Sequence, residues 1–140
     1  MVGSIFPDHK KGEKFDNGNW TDIEEAPVRT RFAQSAVVFT AGNFYYFGGL
    51  DKGTTLSSIL CLNATTWTWS KVGKLNSARY SNGVILVEDT FMVLGGSGRQ
   101  QNEACRLKDG KFICEEKTSK LENYYNNALL FLVKDNYGNC

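Results

Sequence analysis

The sequence predicts an all-β protein built from repeated four-stranded antiparallel sheets. The main evidence is an internal repeat, in which residues 31–49 match residues 79–96. Each copy begins with an arginine, continues through two apolar runs and ends in a glycine pair, and the two glycine pairs lie 47 residues apart. The apolar runs are short and bounded by turn residues, and no segment has convincing helical periodicity.

Each copy predicts four strands, because four runs rich in β-branched, aromatic or leucine residues follow one another between turn signals. The expected strands are about 34–39, 44–48, 57–62 and 67–70 in the first copy, and about 82–87, 90–95, 103–107 and 112–116 in the second. The first strand of each copy is continuously apolar, as in Ala36–Phe39 and Val84–Val87. Such runs are typical of strands that are buried on both faces.

The repeat predicts how the whole chain is divided into a tail and successive units. Residues 1–19 are expected to be a polar tail and residues 20–28 the end of a preceding unit, because Trp20 lies 49 residues before Trp69. Residues 29–76 and 77–120 are two complete units. A truncated third unit is expected at 121–140, where Leu129–Val133 repeats the apolar first strand.

Taken together, these features resemble the kelch repeat. The aromatic run Tyr45–Phe47 closes in Gly48-Gly49, a turn that begins at Asn63 and then Trp69 follow, and the next unit begins at Arg79. The resemblance covers about residues 20–137, and it implies that the sheets are blades of a kelch-type β-propeller. Propellers usually close with about four to eight blades, so this propeller is expected to be incomplete. The second unit departs from the pattern, since it carries Cys114 where Trp69 stands in the first.

The motif residues are expected to have structural roles. The glycines permit positive φ and close approach of neighbouring backbone, and a tryptophan is expected to fill the wedge between blades. A buried arginine needs carbonyl or carboxylate partners and is therefore expected to tie strands together. The alternative is that these residues line a ligand site. The set comprises Arg31, Gly48, Gly49, Trp69, Arg79, Gly95 and Gly96.

One cysteine pair can be placed by counting from a turn. Asp109-Gly110 is a strong signal for a two-residue hairpin turn, and pairing outward from it sets Cys105 opposite Cys114. This is a non-hydrogen-bonded position, where Cα atoms are about 4.5 Å apart and a disulfide can form. The alternative is two reduced cysteines that face each other. The sequence indicates no partner for Cys61 or Cys140.

Two sequons, at Asn19 and Asn63, are candidate glycosylation sites. With the cysteine pair they favour a secretory or extracellular location, whereas the N-terminal residues do not resemble a signal peptide. The location is therefore left open.

The sequence predicts no catalytic, metal or cofactor site. The only histidine is His9, in the predicted tail, so histidine-based triads and multi-histidine metal sites are not expected in the repeats. A net charge of +1 gives no general attraction for nucleic acid or anionic membranes. No segment approaches the roughly 20 apolar residues of a membrane span.

Function is therefore expected in the loops, which in propellers gather on the faces of the disc. The longest are residues 50–56 and 97–102, and plain solvated loops are the alternative. The leading hypothesis is a non-enzymatic scaffold for protein–protein interaction, and the alternative is a carbohydrate-binding or sugar-processing propeller. The loop residues expected to offer hydrogen bonds to a protein or glycan are Asp51, Lys52, Arg99, Gln100 and Gln101.

Overall fold

The computed structural model describes residues 12–28, 35–97 and 101–120, with side chains described up to residue 117. This part of the chain consists of twelve strands joined by turns and loops, and no helix occurs in it. In particular, it contains no helix that could span a membrane. Arg31, Arg99, Gln100, Cys140 and the predicted third unit lie outside the described residues.

The strands form two four-stranded antiparallel sheets and two short hairpins. The N-terminal hairpin pairs β1 (Glu13–Asp16) with β2 (Asn19–Asp22). The first sheet comprises β3 (Ala36–Thr40), β4 (Asn43–Phe47), β7 (Ser58–Asn63) and β8 (Trp69–Lys74), and the small hairpin of β5 (Leu50–Asp51) and β6 (Thr54–Thr55) lies between β4 and β7. The second sheet comprises β9 (Gly83–Val87), β10 (Thr90–Leu94), β11 (Gln101–Lys108) and β12 (Lys111–Lys120).

The predicted all-β class and the four-stranded antiparallel sheets are confirmed. All eight predicted strands occur. The largest differences are at the ends of β8 and β12, which were expected at residues 70 and 116 and continue to Lys74 and Lys120. Residues 13–16, within the predicted tail, form β1. The predicted loop at 50–56 contains the β5–β6 hairpin.

The main core lies between the two sheets. Alternate residues of β4 and β7 point toward the second sheet, as the period of two in a strand requires. The rings of Tyr45, Phe47, Phe91 and Phe112 meet there with centroids 5.0–5.6 Å apart. The other buried members of this core are Ala36, Ile59, Cys61, Leu75, Val93 and Cys105.

A second, smaller core covers the opposite face of the first sheet. Ile23 and Ala26, which follow β2, pack on residues of β4 and β7. Trp69 lies at the edge of this core, where its backbone N–H donates to the Glu24 carboxylate at 2.9 Å and its indole Nε1–H donates to the Glu24 carbonyl at 3.0 Å. Strand alternation turns Trp69 away from the second sheet and toward the residues that follow β2, and its expected place between blades remains a prediction.

Burial of β3 on both faces was also expected, and this is wrong for the described residues. Val37 is 50% exposed and Phe39 is 58% exposed. The described residues after β2, up to residue 28, contact β4, β7 and β8, and none of them packs on Val37 or Phe39. Phe39 instead contacts Phe44 of the neighbouring strand, with centroids 4.6 Å apart.

Candidate functional site

Antiparallel topology brings the connections that follow β4, β8 and β10 to one end of the two sheets. We call this the loop end, and it comprises residues 48–58, 75–82, 95–97 and 101–102. The short turns, with the strand ends beside them, lie at the other end, the turn end, which comprises residues 41–42, 63–68, 88–89 and 108–110. The candidate binding loops of the two sheets therefore share the loop end.

The glycine pairs hold the loop end together. Gly48 has φ +70°, and a Cβ at this position would overlap the backbone carbonyl oxygen of Arg79. Gly49 N–H donates to that same oxygen at 2.9 Å, and Arg79 N–H donates to the Leu56 carbonyl at 3.0 Å. These contacts attach the chain entering the second sheet to the loop of the first, and only glycine leaves room for them.

The second glycine pair occupies the equivalent place, directly after the second strand of its sheet. Gly96 has φ +94°, and a Cβ there would lie 2.9 Å from the Tyr80 carbonyl oxygen. Ser97 N–H donates to that carbonyl at 2.9 Å. Both pairs thus let a glycine backbone approach the segment that leads into β9.

A buried ion pair lies beneath the loop end. Arg79 and Glu103 are both 0% exposed, and Arg79 Nη2 donates to Glu103 Oε1 at 2.7 Å. Arg79 also donates from Nη1 to the Gly95 carbonyl at 3.2 Å and from Nε to the Ser77 carbonyl at 3.4 Å. Glu103 in turn accepts the backbone N–H of Asn76 at 2.8 Å and of Ser77 at 3.1 Å. Arg79 therefore ties the connection between the sheets to β10 and β11.

Glu103 was not among the residues singled out from the sequence. The available signal was the predicted buried arginine, because a buried guanidinium requires an acceptor of opposite charge. Several carboxylates follow Arg79 in the chain, and the spacing alone does not select Glu103.

Several polar side-chain atoms at the loop end are buried without a hydrogen-bond partner in the described part of the chain. They are Asp51 Oδ1, Ser58 Oγ, both amide atoms of Asn82 and Gln101 Oε1. Leaving such an atom unpaired costs about 1–3 kcal/mol, and native proteins keep few of them. The side chains of Asp51 and Gln101 are half-buried, so their remaining atoms are open to a partner.

Two of the predicted binding-loop residues, Asp51 and Gln101, belong to this set of buried polar atoms. Asp51 lies in β5 and Gln101 begins β11, so both are at the loop end, whereas Lys52 is exposed in the β5–β6 turn with φ +46°. Ser58 and Asn82 were missed, since Ser58 begins β7, Asn82 directly precedes β9, and neither stands out from ordinary turn residues. Arg99 and Gln100 lie outside the described residues.

The predicted disulfide is present. Cys105 pairs with Cys114 across β11 and β12, and their Cα atoms are 4.0 Å apart. The Glu103 carboxylate and the two sulfurs lie within 4.8 Å of one another, a spacing that could suggest a metal site. The sulfurs are bonded to each other and Glu103 is paired with Arg79, so this cluster does not offer free ligands.

Cys61 is the free cysteine of the described residues, and it is buried in the main core. Burial raises the pKa of the Cys61 thiol and also that of the adjacent Tyr45 hydroxyl. Cys61 Sγ donates to Asn43 Oδ1 at 3.6 Å. A thiol with a raised pKa stays protonated near neutral pH, and this makes Cys61 a poor nucleophile.

Comparison with known families agrees with the geometry of the first sheet. Residues 31–76 match the family model described as the Kelch motif, and this segment contains all of β3–β8. No curated protein sequence matches the chain.

Proposed function

Because the chain is a kelch-repeat protein, we propose that it is a non-enzymatic scaffold that binds a protein partner through its loop end. Kelch repeats are commonly protein-interaction scaffolds. The observation that carries the proposal is that connections from both sheets meet at the loop end, where the side chains of Asp51 and Gln101 are half-buried and open to a partner. Asp51 follows β4 of the first sheet, and Gln101 begins β11 of the second.

The chemistry of the reactive groups supports a scaffold without catalysis. Glu103 is neutralised by Arg79, and Cys105 is joined to Cys114. The Cys61 thiol is buried with a raised pKa. A carboxylate in a buried ion pair, a disulfide and a buried thiol are all poorly suited to proton transfer or nucleophilic attack.

A backbone fixed by internal hydrogen bonds also supports binding at the loop end. Gly49, Leu56 and Arg79 link the first loop to the connection between the sheets. A rigid surface loses little conformational entropy when a partner docks, and this preserves affinity.

The test compares the two ends of the sheets. A protein partner isolated with the folded chain from its natural source is titrated against wild type and two double variants. Asp51→Ala with Gln101→Ala alters the loop end, and Asp89→Ala with Lys108→Ala alters the turn end. We expect the loop-end variant to bind at least about ten-fold more weakly, or about 1.4 kcal/mol, and the turn-end variant to bind as wild type does. The opposite pattern would refute the proposal.

The carbohydrate alternative is tested in parallel. The same folded chain is applied to a glycan array and incubated with sugar acids. Binding of free glycans that is lost in the loop-end variant, or turnover of a sugar acid, would replace the protein-scaffold proposal.

A further inference from the structure

The turn between β7 and β8 carries a sequon that the proposed binding function does not use. Asn63-Ala64-Thr65 fits the acceptor pattern for N-linked glycans, which requires any residue except proline in the middle. Asn63 is the last residue of β7 and is half-buried, while Thr65 is exposed. The sequon lies at the turn end of the first sheet, and the loop end is at the opposite end of the same strands.

Hydrogen bonds fix the shape of this turn. Asn63 Oδ1 accepts the backbone N–H of Thr65 at 2.8 Å and of Thr66 at 2.9 Å, so the side chain closes an Asx turn. The Asn63 backbone donates to the Thr68 carbonyl at 3.1 Å and accepts from Trp67 N–H at 2.8 Å. The amide nitrogen Nδ2 makes no hydrogen bond to the described residues. Every other polar group of Asn63 is thus engaged, and the nitrogen that would carry a glycan is available.

The second sequon has a different setting. Asn19, Trp20 and Thr21 all lie within β2, and Asn19 Nδ2 donates to the Asn17 carbonyl at 3.4 Å. Asn19 is exposed, but its amide nitrogen is engaged in this hydrogen bond, whereas Asn63 Nδ2 makes none to the described residues. The Asn63 turn remains at the surface after the sheet has folded.

We infer that Asn63 is an N-glycan acceptor. In the reaction, Nδ2 attacks the anomeric carbon of an oligosaccharide carried on a lipid diphosphate. The carbon–nitrogen bond forms, the bond from that carbon to the phosphate oxygen breaks, the lipid diphosphate leaves with the electron pair, and a base takes one proton from Nδ2. The disulfide between Cys105 and Cys114 is consistent with the oxidising compartments in which secreted proteins fold.

A glycan on Asn63 would extend from the turn end into solvent and leave the loop end uncovered. The inference is independent of the proposed binding, since the two sites lie at opposite ends of the first sheet.

The test is secretion of the full 140-residue chain from a eukaryotic cell behind a cleavable signal peptide. Intact mass and glycopeptide mapping are measured before and after an enzyme that releases N-glycans. We expect a glycan on Asn63 of the wild-type chain. It should be lost in Asn63→Gln and in Thr65→Ala, and retained in Thr65→Ser, which keeps the hydroxyl group. Asn19→Gln is the matched control and should leave the Asn63 glycan in place.

Secreted wild-type chain with the disulfide formed and Asn63 unmodified would overturn the inference, as would a glycan found on Asn19 alone. The occupancy of Asn63 in the wild-type chain tests the inference even where a variant fails to fold. Partner binding at the loop end is measured separately on the enzyme-treated chain, so failure of one proposal does not imply failure of the other.

Discussion

At the scale of single residues, the feature with the clearest effect on stability is a buried ion pair. Arg79 and Glu103 have no solvent exposure, so each has lost its hydration and depends on the other. Desolvation offsets much of the attraction within such a pair, and its net stabilisation is small. Removing one member, however, leaves an unpaired buried charge.

Arg79→Met is therefore expected to lower the free energy of unfolding by about 3–5 kcal/mol, because Glu103 would remain buried without its cation. Urea denaturation measures the change. Arg106→Met is the matched control, since Arg106 is 55% exposed and its Nε lies 3.9 Å from the Asp89 carboxylate. Exposed pairs contribute about 0–1 kcal/mol. Equal losses in the two variants would contradict the burial of the Arg79 pair.

Tyr46 gives the protein a predictable response to alkaline pH. Burial raises the pKa of Tyr46 to about 12, whereas an unfolded tyrosine titrates near 10. Between those values the unfolded chain releases a proton that the folded chain retains, so stability falls as pH rises. The contribution is complete below about pH 10 and amounts to roughly 2–3 kcal/mol lost by about pH 12.

Tyr46→Phe removes this titration and should therefore lose less stability over that range than wild type. Urea unfolding at intervals from about pH 9 to about pH 12 compares the slopes. The remaining tyrosines are common to both proteins. Parallel curves would show that Tyr46 ionises equally in the folded and unfolded chains.

At the scale of elements, the hairpin of β11 and β12 is the most strongly specified part of the chain. Asp109 and Gly110 both have positive φ, at +50° and +74°, as the tight turn requires. The register follows directly from this turn and brings Cys105 opposite Cys114. The disulfide then joins residues nine positions apart.

Replacing both cysteines by alanine should lower the free energy of unfolding by about 2–3 kcal/mol, because the unfolded chain regains the entropy of a short closed loop. Urea denaturation under non-reducing conditions measures the loss. Reduced wild type should show a similar stability. The prediction fails if the double variant is as stable as the oxidised protein.

At the scale of the whole molecule, stability depends on packing one sheet against the next. Phe112 and Ile113 are neighbours on β12 that point to opposite faces, and they are 7% and 56% exposed. Phe112 contacts Tyr45 and Phe47 of the first sheet as well as Phe91 of its own. A single strand thus provides both a buried test residue and its control.

Phe112→Ala should cost about 3–5 kcal/mol, since it removes an aromatic ring from the core between the sheets. Ile113→Ala should cost less than about 1 kcal/mol, because most of that side chain is already in water. Trp69→Ala should fall between them, as Trp69 is half-buried beside Glu24. Thermal and urea unfolding of the three variants give the order. A larger loss at Ile113 than at Phe112 would contradict the packing of the sheets.

The sequence by itself determined the repeat, the approximate positions of the eight strands of the two sheets, and the register that sets Cys105 opposite Cys114. These features are set by local signals, namely period-two burial, turn residues and counting from the Asp109-Gly110 turn. Only the tertiary structure decided that Glu103 is the partner of Arg79, that Trp69 contacts Glu24 and that Val37 and Phe39 are exposed. These outcomes depend on which distant segment covers each face of a sheet, and strand periodicity carries no information about that choice.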